Sequence, residues 1–254
     1  MIDTHTHLDG EEFNDDLAEV IRRAKSSGVE KAFIPAIDLS SSRRILEICR
    51  QYSDYCHPII GIHPEEVKDN WEEQLNGIKA LLSADVIGIG EVGLDYYWSR
   101  EFEKEQLECF ERQVVWSVET RLPLMIHCRK AQNEMVKLLR RYESELPGGV
   151  FHCFTGNEHE AVELLEFEKF VLGIGGVLTF KKSNLPQTLP AVVPLSRIVL
   201  ETDSPYMAPV PYRGKRNEPS FIPMVCSRLA DAYGVSGDEV DRITTDTARR
   251  IFNV

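Results

Sequence analysis

The feature that most constrains the fold of this chain is an alternation of short apolar runs with amphipathic segments, repeated eight times. The apolar runs have the length and the β-branched composition of buried strands. They occupy residues 1–4, 31–37, 58–62, 86–90, 122–126, 149–151, 170–175 and 197–200. The segments between them carry helix signals, such as Gly28 after residues 11–27 and the capping-box pattern of Ser236 and Glu239. Strand–helix repeats of this kind predict a parallel sheet.

Eight such units within 254 residues favour an α/β fold of the (β/α)8 or TIM-barrel type, with residues 1–254 as a single domain. No G-x-G-x-x-G motif follows the first predicted strand, which argues against an open dinucleotide-binding sheet. No apolar run approaches the ~18 residues of a membrane-spanning helix, and the first residues lack the features of a signal peptide. Six cysteines without a C-x-x-C pair fit reduced thiols. We therefore predict a cytoplasmic protein with no membrane contact.

Ionisable side chains are concentrated where the predicted strands end. Active sites of such barrels lie at the C-terminal ends of the strands. Five of the seven histidines and two carboxylates fall there, namely His5, His7, His63, Glu91, His127, His152 and Asp203. This distribution predicts that one end of the barrel is a reactive site.

The spacing of the first two histidines suits metal binding. Side chains two apart on a strand face the same side, so His5 and His7 can reach one ion, although a buried hydrogen-bonded pair would have the same spacing. Together with His127, His152, Glu91 and Asp203 they exceed the needs of one tetrahedral ion. We therefore predict two divalent ions with Glu91 as the bridging ligand. Glu201, two residues before Asp203, is predicted to lie one layer deeper and to orient a ligand histidine.

Several sequence blocks resemble one known family. IDTHTHLD, IGIHP, IGEVGLDYY, IHCRKA, FHCFTG, LETDSPYMAP and RGKRNEP occur in this order between residues 2 and 219. This set resembles the motifs of the TatD family of metal-dependent hydrolases, within the amidohydrolase-like superfamily. The resemblance implies a cytoplasmic two-metal hydrolase, with a deoxyribonuclease activity found in several members. It also implies one ion on His5, His7, Glu91 and Asp203 and a second on Glu91, His127 and His152, with His63 beside the substrate.

A mechanism for phosphodiester hydrolysis follows from these roles. Two ions lower the pKa of a water held between them, and Asp203 is predicted to accept its proton before attack on phosphorus. His63 either donates a proton to the leaving oxygen or only contacts the substrate. Glu91 takes part as the bridge. Histidine ligands favour zinc, manganese or iron over magnesium, whereas the resemblance implies magnesium-supported activity, so the sequence leaves the metal open.

The charge distribution bears on the substrate. A net charge of −12 argues against a broad nucleic-acid-binding surface. The predicted strand-end loops nevertheless carry seven basic residues, namely Arg129, Lys130, Lys181, Lys182, Arg213, Lys215 and Arg216. Tyr96, Tyr97 and Trp98 follow the fourth strand and could either stack on bases or pack their loop against a helix.

We predict that the substrate is DNA, single-stranded or frayed at an end, cut by a 3′–5′ exonuclease. The predicted substrate contacts are Arg129, Lys130, Arg213, Arg216, Tyr96 and Tyr97. No obligate protein partner is indicated. One alternative is attack of the same activated water on a carbonyl, in a cyclic amide or an aminoacyl-tRNA ester. A non-catalytic binding module is a second alternative, which the complete ligand set argues against.

Overall fold

The computed structural model describes residues 1–254 and contains eight parallel strands, each paired with the next in chain order. The strands are β1 (Ile2–Asp3), β2 (Lys31–Pro35), β3 (Cys56–Ile60), β4 (Gly88–Asp95), β5 (Leu124–Arg129), β6 (Gly149–Phe151), β7 (Phe170–Ile174) and β8 (Ile198–Leu200). Helices connect successive strands, as the repeating pattern predicts. The TIM-barrel prediction is therefore confirmed.

The barrel closes between its first and last strands. The backbone N–H of Thr4 donates to the carbonyl of Leu200 at 3.0 Å, and Thr6 forms a parallel bridge with Ser204. The hydroxyls of Thr6 and Ser204 lie 2.6 Å apart. Closure leaves no free sheet edge, so the backbone polar groups along this seam are paired.

Nine α-helices surround the strands. They are α1 (Leu17–Ser26), α2 (Leu39–Gln51), α3 (Trp71–Lys79), α4 (Glu103–Thr120), α5 (Gln132–Arg140), α6 (Glu158–Leu165), α7 (Leu185–Val192), α8 (Ile222–Tyr233) and α9 (Gly237–Phe252). The Ser236 side chain accepts the Glu239 N–H and begins α9, while Asn157 and Glu160 form a reciprocal capping box at α6. None of these helices combines the length and the apolar character needed to cross a membrane.

Two element boundaries differ from the sequence prediction. The fourth strand continues to Asp95 rather than ending at residue 90, and its pairing with β5 shifts register between Ile89 and Val92. Glu91 therefore lies within the strand, at the irregularity. The first helix begins at Leu17, because Glu11–Phe13 forms a separate 3-10 turn that buries Phe13.

The N-terminal ends of the strands enclose a small apolar cluster, which we call the floor. Its members are buried side chains from seven strands and the last helix: Ile2, Phe33, Ile59, Met125, Val150, Val171, Val199, Ala248 and Phe252. The opposite ends of the strands form the mouth, which holds the ionisable residues. The remaining core lies between the strands and the surrounding helices.

Candidate metal centre at the mouth

Glu91 lies at the centre of the mouth and is only 3% exposed. Its two carboxylate oxygens face different neighbours. Oε2 lies 3.2 Å from His5 Nε2 and 3.6 Å from His7 Nε2. Oε1 lies 2.9 Å from both His127 Nδ1 and His152 Nε2. One carboxylate thus joins two groups of nitrogen donors.

The first group contains His5, His7 and Asp203 together with Glu91 Oε2. The Nε2 atoms of the two histidines are 3.2 Å apart, and Asp203 Oδ1 lies 3.8 Å from His5 Nε2 and 3.6 Å from His7 Nε2. Ligand atoms at ordinary zinc distances in a tetrahedron lie about 3.3 Å apart. The spacing of these four atoms therefore fits a single divalent ion.

The second group contains His63, His127 and His152 together with Glu91 Oε1. His63 Nε2 lies 3.5 Å from Glu91 Oε1. A 3-10 turn, Pro64–Glu66, fixes the His63 ring, because His63 Nδ1 accepts the N–H of Glu65 at 3.1 Å. The proton of neutral His63 is then on Nε2, which faces the centre of the mouth.

The pKa values of the two buried carboxylates, Glu91 and Asp203, are shifted in opposite directions. Burial tends to raise the pKa of Glu91, but the neighbouring His152 and His5 hold that pKa well below its usual range. Burial dominates at Asp203 and raises its pKa to about 7, against the opposing effect of His152. At neutral pH, Glu91 is ionised and Asp203 can exchange a proton.

The histidines of the mouth also differ in the direction of their pKa shifts. Burial and the nearby His152 lower the pKa of His5 well below its ordinary value. Burial also tends to lower the pKa of His152, but Glu91 and Glu201 raise it well above that value. An imidazole must be unprotonated on the nitrogen that binds a metal, so His5 is ready to bind, whereas His152 releases a proton on binding.

A deeper layer of the barrel supports the mouth. Glu201, fully buried, accepts the Cys153 N–H at 2.5 Å, and its Oε1 lies 3.5 Å from His152 Nδ1. Gly173 makes room for this carboxylate, because a Cβ there would lie 2.1 Å from Glu201 Oε2. His5 Nδ1, His152 Nδ1 and Glu201 Oε2 are buried without hydrogen-bond partners. Unpaired buried donors and acceptors are costly, so this layer lowers the stability of the mouth.

The backbone at the mouth is strained where three strands end. Lys130, Cys153 and Asp203 follow β5, β6 and β8 closely, and their φ angles are 59°, 49° and 56°. Non-glycine residues seldom adopt this left-handed region, and such strain is concentrated at functional sites.

Asp95 and Asp3 belong to this end of the barrel, although the sequence reasoning did not select them. Asp95 Oδ2 lies 2.8 Å from His127 Nε2, and Asp3 Oδ2 accepts the Thr202 hydroxyl at 2.6 Å across the seam. Burial tends to raise the pKa of Asp95, but hydrogen bonds from His127 and Tyr97 lower it overall. Alternation could have revealed Asp95, since it lies four residues after Glu91 on the same strand.

The predicted substrate contacts are divided between the groove and other surroundings. A groove of about 830 Å³ between the β5 and β6 ends includes Tyr97, Arg129, Lys130 and His152 in its lining. The Arg129 guanidinium lies 3.6 Å from the centre of the Tyr97 ring. These three predicted contacts are therefore next to the metal centre.

The other three predicted contacts have competing partners. Tyr96 is 7% exposed and packs in the main core, which leaves no ring face for a base and corrects the prediction of stacking there. Both terminal nitrogens of Arg216 donate hydrogen bonds to the Asp16 carboxylate. The charge of this guanidinium is therefore already neutralised and is not free to bind phosphate. Arg213 is exposed and lies 3.7 Å from the centre of the Phe180 ring.

Comparison with known proteins agrees with this geometry. A family model described as TatD related DNase matches residues 2–253. The uncharacterized metal-dependent hydrolase YabD of Bacillus subtilis is 38% identical over 255 residues, covering 100% of this chain and 99% of the relative. The 3′-5′ ssDNA/RNA exonuclease TatD of Pectobacterium carotovorum is 32% identical over 260 residues, with full coverage of both chains.

Solved structures support the same assignment. The crystal structure of YJJV, a TatD homolog from Escherichia coli K12, superposes with a TM-score of 0.93 at 27% identity and covers 100% of this chain and 98% of its own. Family model, sequence relatives and fold all extend over essentially the whole chain. The chain therefore belongs to the TatD-related DNase family and is a metal-dependent hydrolase.

Proposed function

We propose that this hydrolase is a two-metal exonuclease that removes nucleotides from the 3′ end of single-stranded or frayed DNA. One observation carries the proposal: the Glu91 carboxylate joins two groups of metal donors directly beside a groove lined by Arg129, Lys130 and Tyr97. The first feature suits hydrolysis by an activated water. The second suits a substrate with phosphates and bases.

Two divalent ions, when bound, would polarise a water and neutralise charge on a phosphoryl group. His5, His7 and Asp203 would hold one, His127 and His152 the other, and Glu91 both. The predominance of imidazole donors favours zinc or manganese over magnesium. Activity with each of the three metals is therefore part of the test below.

Asp203 is the proposed proton acceptor, and His63 is a proposed hydrogen-bond donor to the substrate. Burial raises the pKa of Asp203 to about 7 in the metal-free protein; a bound ion would lower it, and an Asp203 oxygen that does not bind the ion would accept the proton of the activated water. Asp203 Oδ1 faces the first group of histidines. His63 presents its Nε2 proton toward the same space, since its Nδ1 is occupied by the Glu65 N–H. A neutral imidazole N–H donates a hydrogen bond and keeps its proton, so the proposed role of His63 is a contact to a phosphate oxygen or to the leaving oxygen.

The groove accounts for the preference for a strand end. His152 and the exposed Thr155 are among its lining residues. Its volume of about 830 Å³ falls in the range of sites that enclose a small ligand, which favours a flexible strand over a duplex. Tyr97 forms one side, and Trp98 beside it is 69% exposed. Support for the 3′ polarity comes from the name of the Pectobacterium relative.

The test is product analysis with a single-stranded oligonucleotide labelled at its 5′ end. Metal-stripped protein is refilled with magnesium, manganese or zinc and compared with Asp203→Asn. Asp85→Asn, a matched change at an exposed loop residue, is the control. We expect stepwise shortening from the 3′ end with wild type and control, and a loss of at least about 10²-fold with Asp203→Asn.

Other outcomes would contradict the proposal. Equal cutting of linear and closed circular single strands would exclude an exonuclease. Intact DNA with every metal, from protein shown to contain bound ions, would exclude a nuclease. Cyclic amides and aminoacyl-tRNA esters would then be the next substrates to assay, because attack at carbon uses the same water.

A further inference from the structure

Asp95 ends β4 and is 2% exposed, and its polar groups have defined partners. Its N–H donates to Gln106 Oε1 at 3.0 Å, and its Oδ1 accepts the Tyr97 N–H at 2.8 Å. Its Oδ2 lies 2.8 Å from His127 Nε2. An ionised carboxylate can only accept hydrogen bonds, so His127 Nε2 carries a proton.

This contact determines which nitrogen of His127 can bind a metal. Nδ1 lies 2.9 Å from Glu91 Oε1, so in the metal-free protein both ring nitrogens donate to a carboxylate. Because Glu91 is shared with the other donors whereas Asp95 contacts only Nε2 of this ring, Nδ1 is the nitrogen that can exchange its proton for a metal ion. His152, just after the next strand, presents the opposite nitrogen, since its Nε2 lies 2.9 Å from the same oxygen. Two neighbouring rings thus reach one carboxylate oxygen with different nitrogens.

We propose that Asp95 is a positioning residue that keeps the ring proton of His127 on Nε2 and thereby reserves Nδ1 for the metal ion. The proposal rests on the metal-binding part of the proposed function and is independent of nucleic-acid cleavage. Carboxylate partners of ligand histidines typically contribute 10–100-fold to metal affinity.

The second partner of Asp95 makes the proposal testable with an isosteric substitution. In Asp95→Asn, the Tyr97 N–H requires an oxygen at the Oδ1 position. The amide must then direct its NH2 group toward His127 Nε2. Nε2 becomes the acceptor and the ring proton moves to Nδ1, where it blocks the metal. Asp95→Ala removes the acceptors of both His127 and the Tyr97 N–H, so the His127 ring loses its fixed orientation but can still carry its proton on Nε2.

The experiment measures zinc affinity and stoichiometry by competition with a chromophoric chelator. We expect Asp95→Ala to bind about 10–100-fold more weakly than wild type. Asp95→Asn should bind more weakly still, although its shape is closer to that of the native residue. A purely structural role predicts the reverse order, because asparagine preserves the packing and alanine does not. Asparagine binding as tightly as alanine, or more tightly, would overturn the proposal.

Three controls separate the possible failures. Asp85→Asn should match wild type. Thermal unfolding of the metal-free variants tests whether they are folded, and Asp95→Ser replaces alanine if needed. Nitrogen NMR of zinc-loaded wild type reports the His127 tautomer directly, and a proton on Nδ1 would refute the proposal without any variant. Wild-type protein that binds no zinc would instead contradict the metal-binding part of the proposed function.

Discussion

The floor and the mouth of this barrel are built by the same strands, yet they have opposite character. On β5, Met125 lies in the floor and His127 at the mouth; on β6 and the residue that follows it, the pair is Val150 and His152. Side chains two apart point to the same side of a strand, so each pair lies in successive layers of one interior. A step of two residues is enough to pass from an apolar core to a polar site.

This difference between the floor and the mouth assigns stability mainly to one end of the barrel and ligand binding to the other. The floor contains only apolar side chains, and its burial stabilises the barrel. The mouth buries charged groups and leaves His5 Nδ1 and Glu201 Oε2 without partners, which costs stability. Substitutions at the two ends should therefore have separable effects on stability and on metal binding.

The largest effect is expected at the centre of the mouth. Glu91→Gln keeps the shape of the side chain but removes the charge that joins the two donor groups. We expect the loss of at least one ion and a fall in hydrolysis of about 10³-fold, which corresponds to about 4 kcal/mol. Metal analysis after dialysis and an assay with a chromogenic phosphodiester would measure both. Full metal content with activity within tenfold of wild type would contradict the bridging role.

At the floor, Ile59→Ala should have the reverse effect. Ile59 is fully buried on β3, four residues before His63. Deleting a buried aliphatic side chain should lower the free energy of unfolding by about 3 kcal/mol, while Ile59→Val should cost about 1 kcal/mol. Urea unfolding of metal-free protein gives these values. Zinc affinity of the folded variants should equal that of wild type, and a parallel loss of affinity would mean that the two ends are coupled.

Gly173→Ala tests the layer between the two ends. The new methyl group would overlap Glu201 Oε2, so the carboxylate must move away from His152. We expect about 2 kcal/mol of destabilisation and weaker zinc binding. Gly175→Ala is the matched control, because its Cβ would lie 3.3 Å from the Glu201 carbonyl oxygen and needs little adjustment. Equal effects of the two substitutions would argue against a specific role for the Gly173 position.

The smallest expected effect is a pH dependence of protein stability that arises from His57, near the floor. Burial, with the nearby Lys31, lowers the pKa of His57 from 6.5 to about 4. Between these values the unfolded chain binds the proton and the folded protein does not, so stability falls as pH decreases from 6.5 toward 4. His57→Gln should remove about 1 kcal/mol of this loss between pH 7 and pH 5, allowing for partial solvent screening.

Urea unfolding of both metal-free proteins at each pH would measure the difference. Keeping the metal out is essential, because metal binding by histidines depends on pH and would itself change the stability. Identical pH profiles for wild type and His57→Gln would show that His57 does not titrate as described.

The sequence could predict the fold and the convergence of these ionisable side chains because both depend on local rules. Strand periodicity assigned the eight units, and the positions of His5, His7, His127 and His152 near strand ends indicated one site. The structure brings these residues within reach of Glu91. In a closed barrel with short connections, residues at the ends of different strands must lie close together.

Other features depend on distant contacts or on irregular geometry. Asp95 was passed over because the fourth strand was predicted to end at residue 90, whereas β4 continues to Asp95. Tyr96 and Tyr97 are adjacent, yet one side chain packs in the core and the other is exposed, which composition cannot distinguish. Arg216 pairs with Asp16, 200 residues earlier in the chain, so its charge could not be assigned from its own loop.

The seam between β1 and β8 also joins distant parts of the chain. Thr6 and Ser204, 198 residues apart, flank the two halves of the first donor group: His5 and His7 on one side and Asp203 on the other. Closing so long a loop is costly in entropy, and this donor group exists only while β8 is docked beside β1. Ion uptake at that group would therefore report closure of the barrel.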